Sequence, residues 1–253
     1  MPALQPTARP SRLLDQAMIQ QLILELLPPS PPTLDNFVAG DNAAAIDALR
    51  RSEPGRAVYL WGAPGVGRSH LLRAAAARPD GLYFGSGDAP ARLLDIATSD
   101  RLALRLIAVD DVERLDADGQ AALFALYNRW REVASTGQAF ALALAGDRAP
   151  MAMPLREDLR TRLGWDLVFR LEMLSDEDRA RALRQRAEER GLQLSPEVIN
   201  WILTHYARDM SRLSALVDAL DRYSIEKHRA VITLPLLKDL LASGQPNHEP
   251  GSL

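Results

Sequence analysis

The chain has 253 residues, 47% of them hydrophobic and 25% charged, which is enough to bury the core of one large domain or two modest ones. A formal net charge of −3 argues against a dedicated duplex DNA-binder, the absence of Cys excludes disulfides and thiolate metal sites, and the four His (His70, His205, His228, His248) show no ligand spacing. No apolar run approaches the ~18 residues of a membrane span, and the N-terminus lacks a basic–apolar–small signal pattern, so a cytoplasmic protein is expected.

Residues 1–17 are Pro-rich and aperiodic, and read as a disordered tail or a mis-assigned start ahead of Met18. Residues 18–32 hold the apolar hexapeptide Gln21-Leu22-Ile23-Leu24-Glu25-Leu26 and then Pro28-Pro29-Ser30-Pro31-Pro32, the pattern of a docking peptide on a linker. The hexapeptide resembles the sliding-clamp-binding motif, with Gln21 at the pocket rim and Leu22, Leu24 and Leu26 as anchors; the alternative is an extra strand or helix start on the domain. A turn-rich lead, with Phe37 and Val38, precedes an Ala-rich helix predicted over 43–51. Phe37 and Val38 would either wall an adenine or staple that helix.

An apolar strand, Ala57 to Trp61, runs into Gly62-Ala63-Pro64-Gly65-Val66-Gly67-Arg68-Ser69-His70 and a helix predicted over 71–78. Strand, Gly-rich loop and helix are the setting of a phosphate-binding P-loop, in which backbone N–H groups and the helix start face phosphate oxygens. The pattern asks for Gly-x-x-x-x-Gly-Lys-Ser/Thr, and position 68 is Arg, a planar fork in place of a point charge. Nucleotide binding is favoured and fast hydrolysis is not. Drift is the other account of Arg68, in a chain with Lys only at 227 and 238.

A strand over 82–84, a helix over 89–97 and a strand over 104–109 follow, the last ending in Asp110-Asp111. Acids at the carboxyl end of an apolar strand form a Walker B arrangement: Asp110 would hold magnesium together with the Ser69 hydroxyl, and Asp111 would orient an attacking water, unless the pair merely caps a helix. Ala122, Leu126 and Trp130 recur at helical spacing and predict a helix over 118–134. A strand over 139–145 ends at Asp147, a candidate γ-phosphate sensor or a simple turn residue. A short helix over 155–165 carries Arg156, Arg160 and Arg162, which spacing alone leaves as a solvated basic face, and a strand over 167–171 completes the set. From Ser175 a capping-box start opens helices over 176–190, 196–207, 210–227 and 235–242, with one short β-like run over 230–233.

These motifs stand in the order found in AAA+ ATPases. Asp35-Asn36-Phe37-Val38, Asp110-Asp111, Gly146-Asp147-Arg148 with Pro150, and Asp158-Leu159 with Arg162-Leu163 resemble the nucleotide-binding core of the replication initiator DnaA. Gly67-Arg68-Ser69-His70-Leu71-Leu72, Leu126-Tyr127-Asn128-Arg129, Ser175-Asp176-Glu177-Asp178, Arg208-Asp209-Met210 and Leu220-Asp221-Arg222 are more similar to its regulatory relatives, the Hda family. The resemblance implies an α/β fold: an AAA+ P-loop three-layer αβα core with a parallel sheet over 33–172, a small helical lid domain over 173–242, and a tail over 243–253. It also implies bound ADP (or ATP) with Mg2+, held by Phe37, Val38, Gly62, Pro64, Gly65, Val66, Gly67, Arg68, Ser69, His70, Asp147 and Arg212.

The implied partners are DnaA, the sliding clamp (beta subunit) of DNA polymerase III and a homo-oligomer of this chain, with no membrane and no sequence-specific DNA contact. The implied activity is stimulation of ATP hydrolysis on DnaA, with Arg162 as an arginine finger acting in trans. One departure stands out: the lid arginine of these families aligns with Ser211, which leaves Arg212 or Arg208 to replace it. The alternative is an autonomous AAA+ ATPase of the DnaA or helicase-loader type. A DnaA-like initiator is disfavoured because the chain ends before a helix-turn-helix domain would fit.

Overall fold

A computed structural model of the protein describes residues 31–99, 103–205, 210–227 and 229–243. The hexapeptide with Gln21, Leu22, Leu24 and Leu26, residues 1–17, Arg208 and the tail after 243 lie outside the described residues. The chain divides after Leu174 into an α/β unit that begins at Pro31 and a helical unit that begins at Ser175.

Five parallel strands form the sheet of the α/β unit: β1 (Ala57–Trp61), β2 (Gly81–Phe84), β3 (Leu106–Val109), β4 (Ala141–Gly146) and β5 (Leu167–Arg170), in the order β2-β3-β4-β1-β5. Five helices connect or precede them: α1 (Ala43–Arg51), α2 (Arg68–Ala76), α3 (Pro90–Thr98), α4 (Ala117–Val133) and α5 (Glu157–Leu163). Strand side chains alternate between faces. Tyr59, Ile107, Val109, Leu142 and Leu144 pack with α3, α4 and α5, whereas Val58, Leu60, Leu106, Ala108, Ala141, Ala143 and Ala145 pack with α1 and α2. On β4 the bulky leucines take one face and the alanines the other, so α1 and α2 settle close to the sheet. The result is the expected three-layer αβα sandwich. β1 leads into α2 on one face while β3 leads into α4 on the other, and sheets with such connections bind ligands at the carboxyl ends of their strands.

Most predicted elements are present with ends moved by a residue or two. The largest shift is at α2, which begins at Arg68 and not at residue 71. Gly67 sits at φ 96° as its N-cap, and the Leu71 N–H donates to the Gly67 carbonyl at 3.0 Å. Arg68, Ser69 and His70 therefore form the first helical turn.

The helical unit comprises α6 (Asp176–Glu188), α7 (Pro196–His205), α8 (Met210–Lys227) and α9 (Leu234–Ser243). Ser175 caps α6 by accepting the Asp178 N–H at 3.0 Å. Leu183, Val198, Ile202, Leu213, Leu216 and Leu237 share its core. The β-like run over 230–233 is β7 (Val231–Ile232), paired in parallel with β6 (Gln193–Leu194), a two-residue strand without a signal of its own. Among the described residues no helix is long and apolar enough to cross a membrane.

One polar tie locks the start of β1 to the start of β5. Asp166 accepts from Arg56 Nε at 2.7 Å, from Arg56 Nη2 at 2.6 Å and from the Ala57 N–H at 2.9 Å. The Arg56 bond holds the Asp166 carboxyl below the usual carboxylate range, against partial burial and with help from the Ala57 N–H. A depressed carboxyl contributes stability above its unfolded value of about 4 and loses it as the pH falls through the folded value. Asp166→Asn is expected to cost the α/β unit about 1 kcal/mol at pH 7, by urea unfolding, and the gap to wild type is expected to close as the pH drops below about 4.

Candidate nucleotide site

The loop of residues 62–67 leaves the end of β1 and enters α2 through Gly67. At that residue φ is 96°, a conformation that costs other L-residues ~1–2 kcal/mol. A Cβ there would also stand 2.5 Å from the Phe37 ring. Phe37 thus lies directly on the loop, and its ring meets His70 at a centroid distance of 5.4 Å. His70 is itself held by Nε2 at 3.0 Å from the Thr33 carbonyl oxygen. Phe37 touches the loop and also packs on the core that α1 shares, so both of its roles stay open; Val38 beside it is half-buried. Val66 is buried and pins the loop from below, Gly62 is buried at its root, and Ala63, Pro64 and Gly65 are exposed at its tip. Ser69 is half-buried in the first turn of α2.

The acidic side of the site follows β3. Asp110 is 1% exposed, and both of its oxygens are engaged: Oδ2 accepts the Tyr83 hydroxyl at 2.8 Å and Oδ1 accepts the Asp111 N–H at 2.9 Å. Tyr83, at the end of β2, lies under the Arg73 guanidinium, 4.8 Å from the ring centroid. Burial pushes the Tyr83 hydroxyl up to about 12, with Arg73 opposing and Asp110 adding, so it stays a donor at neutral pH. Asp111 sits at φ 48° and leads into a 3-10 turn, Val112–Arg114. After β4, the Tyr59 hydroxyl donates to the Arg148 carbonyl at 2.7 Å and fixes the turn that carries Asp147. Asp147 Oδ2 accepts from Arg148 Nε at 3.1 Å, while Oδ1 is buried with no hydrogen-bond partner among the described residues.

Arg68 does not point to solvent. Its Nη1 is buried, makes no hydrogen bond among the described residues and lies 3.9 Å from Glu113 Oε1. Burial holds the Glu113 carboxyl above its usual range, with Asp147 and Asp111 adding and Arg68 opposing. Neither Glu113 nor Tyr83 carries a local signal: Glu113 is one acid among several after β3, and its partner stands on another element.

The site's chemistry fits a phosphate ligand. A helix start with orphan N–H groups, a guanidinium nitrogen open to a hydrogen bond and a left-handed glycine turn are what an anion needs. A magnesium ion would be held through Ser69 and Asp110 with phosphate oxygens and water completing its shell, since among the described residues no three His, Cys, Asp or Glu cluster around a metal site. Such an ion supplies charge neutralisation of the phosphates.

Arg162 belongs to a second constellation. Its Nη1 donates to Asn128 Oδ1 at 2.7 Å and to the Phe124 carbonyl at 3.4 Å. The guanidinium lies 3.8 Å from the Phe124 ring centroid and 5.1 Å from that of Trp165. Burial lowers its pKa from the ordinary Arg value, with Arg131 and Arg156 adding and Asp158 opposing, yet an Arg stays charged. The basic-face reading does not describe this helix: Arg156 is exposed and paired with Asp158 at 2.6 Å, whereas Arg160 and Arg162 are half-buried. Arg212 lies near the start of α8 in the helical unit, half-buried.

Residues 176–241 match the family model for the Hda lid domain. The helical unit is thus similar to the Hda lid domain, and the α/β unit has an AAA+ fold. Solved structures agree on the fold. The replication initiator DnaA bound to AMPPCP and single-stranded DNA is similar at TM-score 0.61 and 21% identity over 78% of this chain and 68% of that one. Domain III of Thermotoga maritima DnaA gives 0.63 and 23% over 86% and 98%. A Thermotoga maritima RuvB variant gives 0.61 and 16% over 84% and 72%. Against a further DNA replication initiation factor the chain spans 65% of that chain's length.

The stretch Leu126-Tyr127-Asn128-Arg129, singled out as Hda-like, has a local explanation. Leu126 and Tyr127 are core, Tyr127 meets Trp165 edge-on at 6.2 Å, and Asn128 holds Arg162.

Gly67→Ala is expected to destabilise the α/β unit by ~2 kcal/mol, through the left-handed backbone and the Phe37 contact together, read as a lower thermal midpoint.

Proposed function

We propose that this protein is a regulatory AAA+ factor that holds ADP in its P-loop, docks on the DNA-loaded sliding clamp and stimulates hydrolysis of the ATP carried by DnaA, so restraining re-initiation of replication. One observation carries the reading: an Hda lid domain follows an AAA+ core whose P-loop bears Arg68 in place of Lys. Gln21, Leu22, Leu24 and Leu26 supply the clamp contact.

The chemistry assigned to Arg162 is physical. Phosphoryl transfer builds charge on the leaving and equatorial oxygens, and a trans guanidinium stabilises it, worth ~10³–10⁵ in rate in other systems. A guanidinium already ordered by Phe124, Trp165 and Asn128, and partly stripped of water, brings that charge to a partner's nucleotide with little reorganisation. Phe37, Val38 and His70 flank the nucleotide held in this chain, and Asp147 faces its phosphates. Asp110, closed off by Tyr83 and the Asp111 N–H, anchors a metal through water more readily than directly. Asp111 is left as the group nearest a water-orienting role if this chain turns over ATP at all.

The test is DnaA–ATP hydrolysis with loaded clamp and ADP. Arg162→Ala is expected to lower the stimulated rate by about 10³-fold while clamp capture and ADP binding persist; an unchanged rate removes Arg162 from the role. Gln21→Ala is expected to abolish capture of the protein by immobilised clamp. Hydrolysis by this protein alone, at a rate that DnaA does not alter, would favour an autonomous ATPase.

A further inference from the structure

We propose that Glu113, by holding the Arg68 guanidinium, makes this P-loop select a nucleoside diphosphate over a triphosphate. The inference rests on the reading of the loop as an adenine nucleotide site, and it names the residue that sets the choice.

Charged atoms without hydrogen bonds meet at the carboxyl edge of the sheet: Arg68 Nη1, Glu113 Oε2 and Asp147 Oδ1. The side chains of Arg68 and Glu113 are only 12% and 15% exposed. Buried charges left in this condition are costly, and the cost falls when a ligand completes them. Each acid here has its own cation nearby: Asp147 is paired with Arg148 at 3.1 Å, Asp111 lies 4.0 Å from Arg114, and Glu113 lies 3.9 Å from Arg68. Glu113 feels Arg68 as an attraction and both Asp147 and Asp111 as repulsions. A Lys at position 68 would offer a compact charge on a flexible stem, free to follow a terminal phosphate. The Arg fork is drawn to Glu113, and its charge is shared with a carboxylate before any nucleotide arrives.

A diphosphate needs only Arg68 Nη1, which makes no hydrogen bond among the described residues, and the N–H groups at the start of α2. A triphosphate carries further negative charge to a rim already lined by Glu113, Asp147 and Asp111, with Arg68, Arg148 and Arg114 each already committed to one of them. Like charges in a partly buried site repel far more strongly than in water. Glu113 thus acts through Arg68 as a positioning residue and touches no phosphate itself.

The experiment compares dissociation constants for ADP and for a non-hydrolysable ATP analogue, both with magnesium, by calorimetry on the full chain. Wild type is expected to prefer ADP. Glu113→Gln, which keeps shape and removes charge, is expected to shrink that preference by about tenfold or more. In an Arg68→Lys background the same substitution is expected to do much less, because the effect runs through Arg68. A preference unchanged by Glu113→Gln, or equally large shifts in both backgrounds, overturns the proposal while leaving the nucleotide site intact. Failure of folded wild type to bind either nucleotide overturns the reading of the site and the proposal with it. Asp147→Asn, expected to move the preference in the same direction, carries the test if Glu113→Gln does not fold by circular dichroism.

Discussion

The left-handed turn at Gly67 governs the site. It ends the loop and starts α2 at Arg68, in place of a later start at Leu71. With the helix begun there, Arg68 and Ser69 hold fixed positions in its first turn, and Arg68 lies toward Glu113. Phe37 packs where any Cβ on residue 67 would stand, so the segment before α1 is tied to the loop by the same constraint. Remove the turn and the helix start, the guanidinium and the aromatic cover lose their common reference.

The two arginines that matter are held by opposite means. Arg68 is held by charge, beside a buried carboxylate and without a hydrogen bond at Nη1. Arg162 is held by aromatic faces and the Asn128 amide oxygen, with no carboxylate bonded to it. A guanidinium committed to an acid is poorly placed to serve a charge that appears during reaction. One stacked on Phe124 and Trp165 keeps its full charge for another acceptor. This contrast is the physical basis of the proposal that this chain retains its nucleotide and that Arg162 serves a nucleotide on another protein.

Much of the fold was legible because its signals are local. The run Ala57 to Trp61 announces a buried strand, and Ala122, Leu126 and Trp130 announce α4. The start of α2 was obscured because Arg68, Ser69 and His70 are polar and the glycine before them reads as loop. The strand β6 has two residues and exists only through its pairing with β7. At the site, the loop and Asp110 were readable from type and spacing. Glu113 was not, since its meaning depends on Arg68, and Tyr83 was not, since it closes on Asp110 from the neighbouring strand. Arg156, Arg160 and Arg162 are alike in sequence; Arg156 also reaches the Phe124 ring, at 5.2 Å, and it is the Asn128 bond and the Trp165 face that set Arg162 apart, which the family resemblance singled out without showing why.

The account's central claim is that this chain's own nucleotide is retained while the bond that breaks lies on another protein. The direct measurement is single-turnover release of labelled γ-phosphate with the label placed on one protein at a time, in the presence of loaded clamp. The account predicts rapid release when the labelled ATP is pre-bound to DnaA, and negligible release when it is pre-bound to this protein. Rapid release from this protein's own site, with the DnaA-bound label left intact, would contradict it.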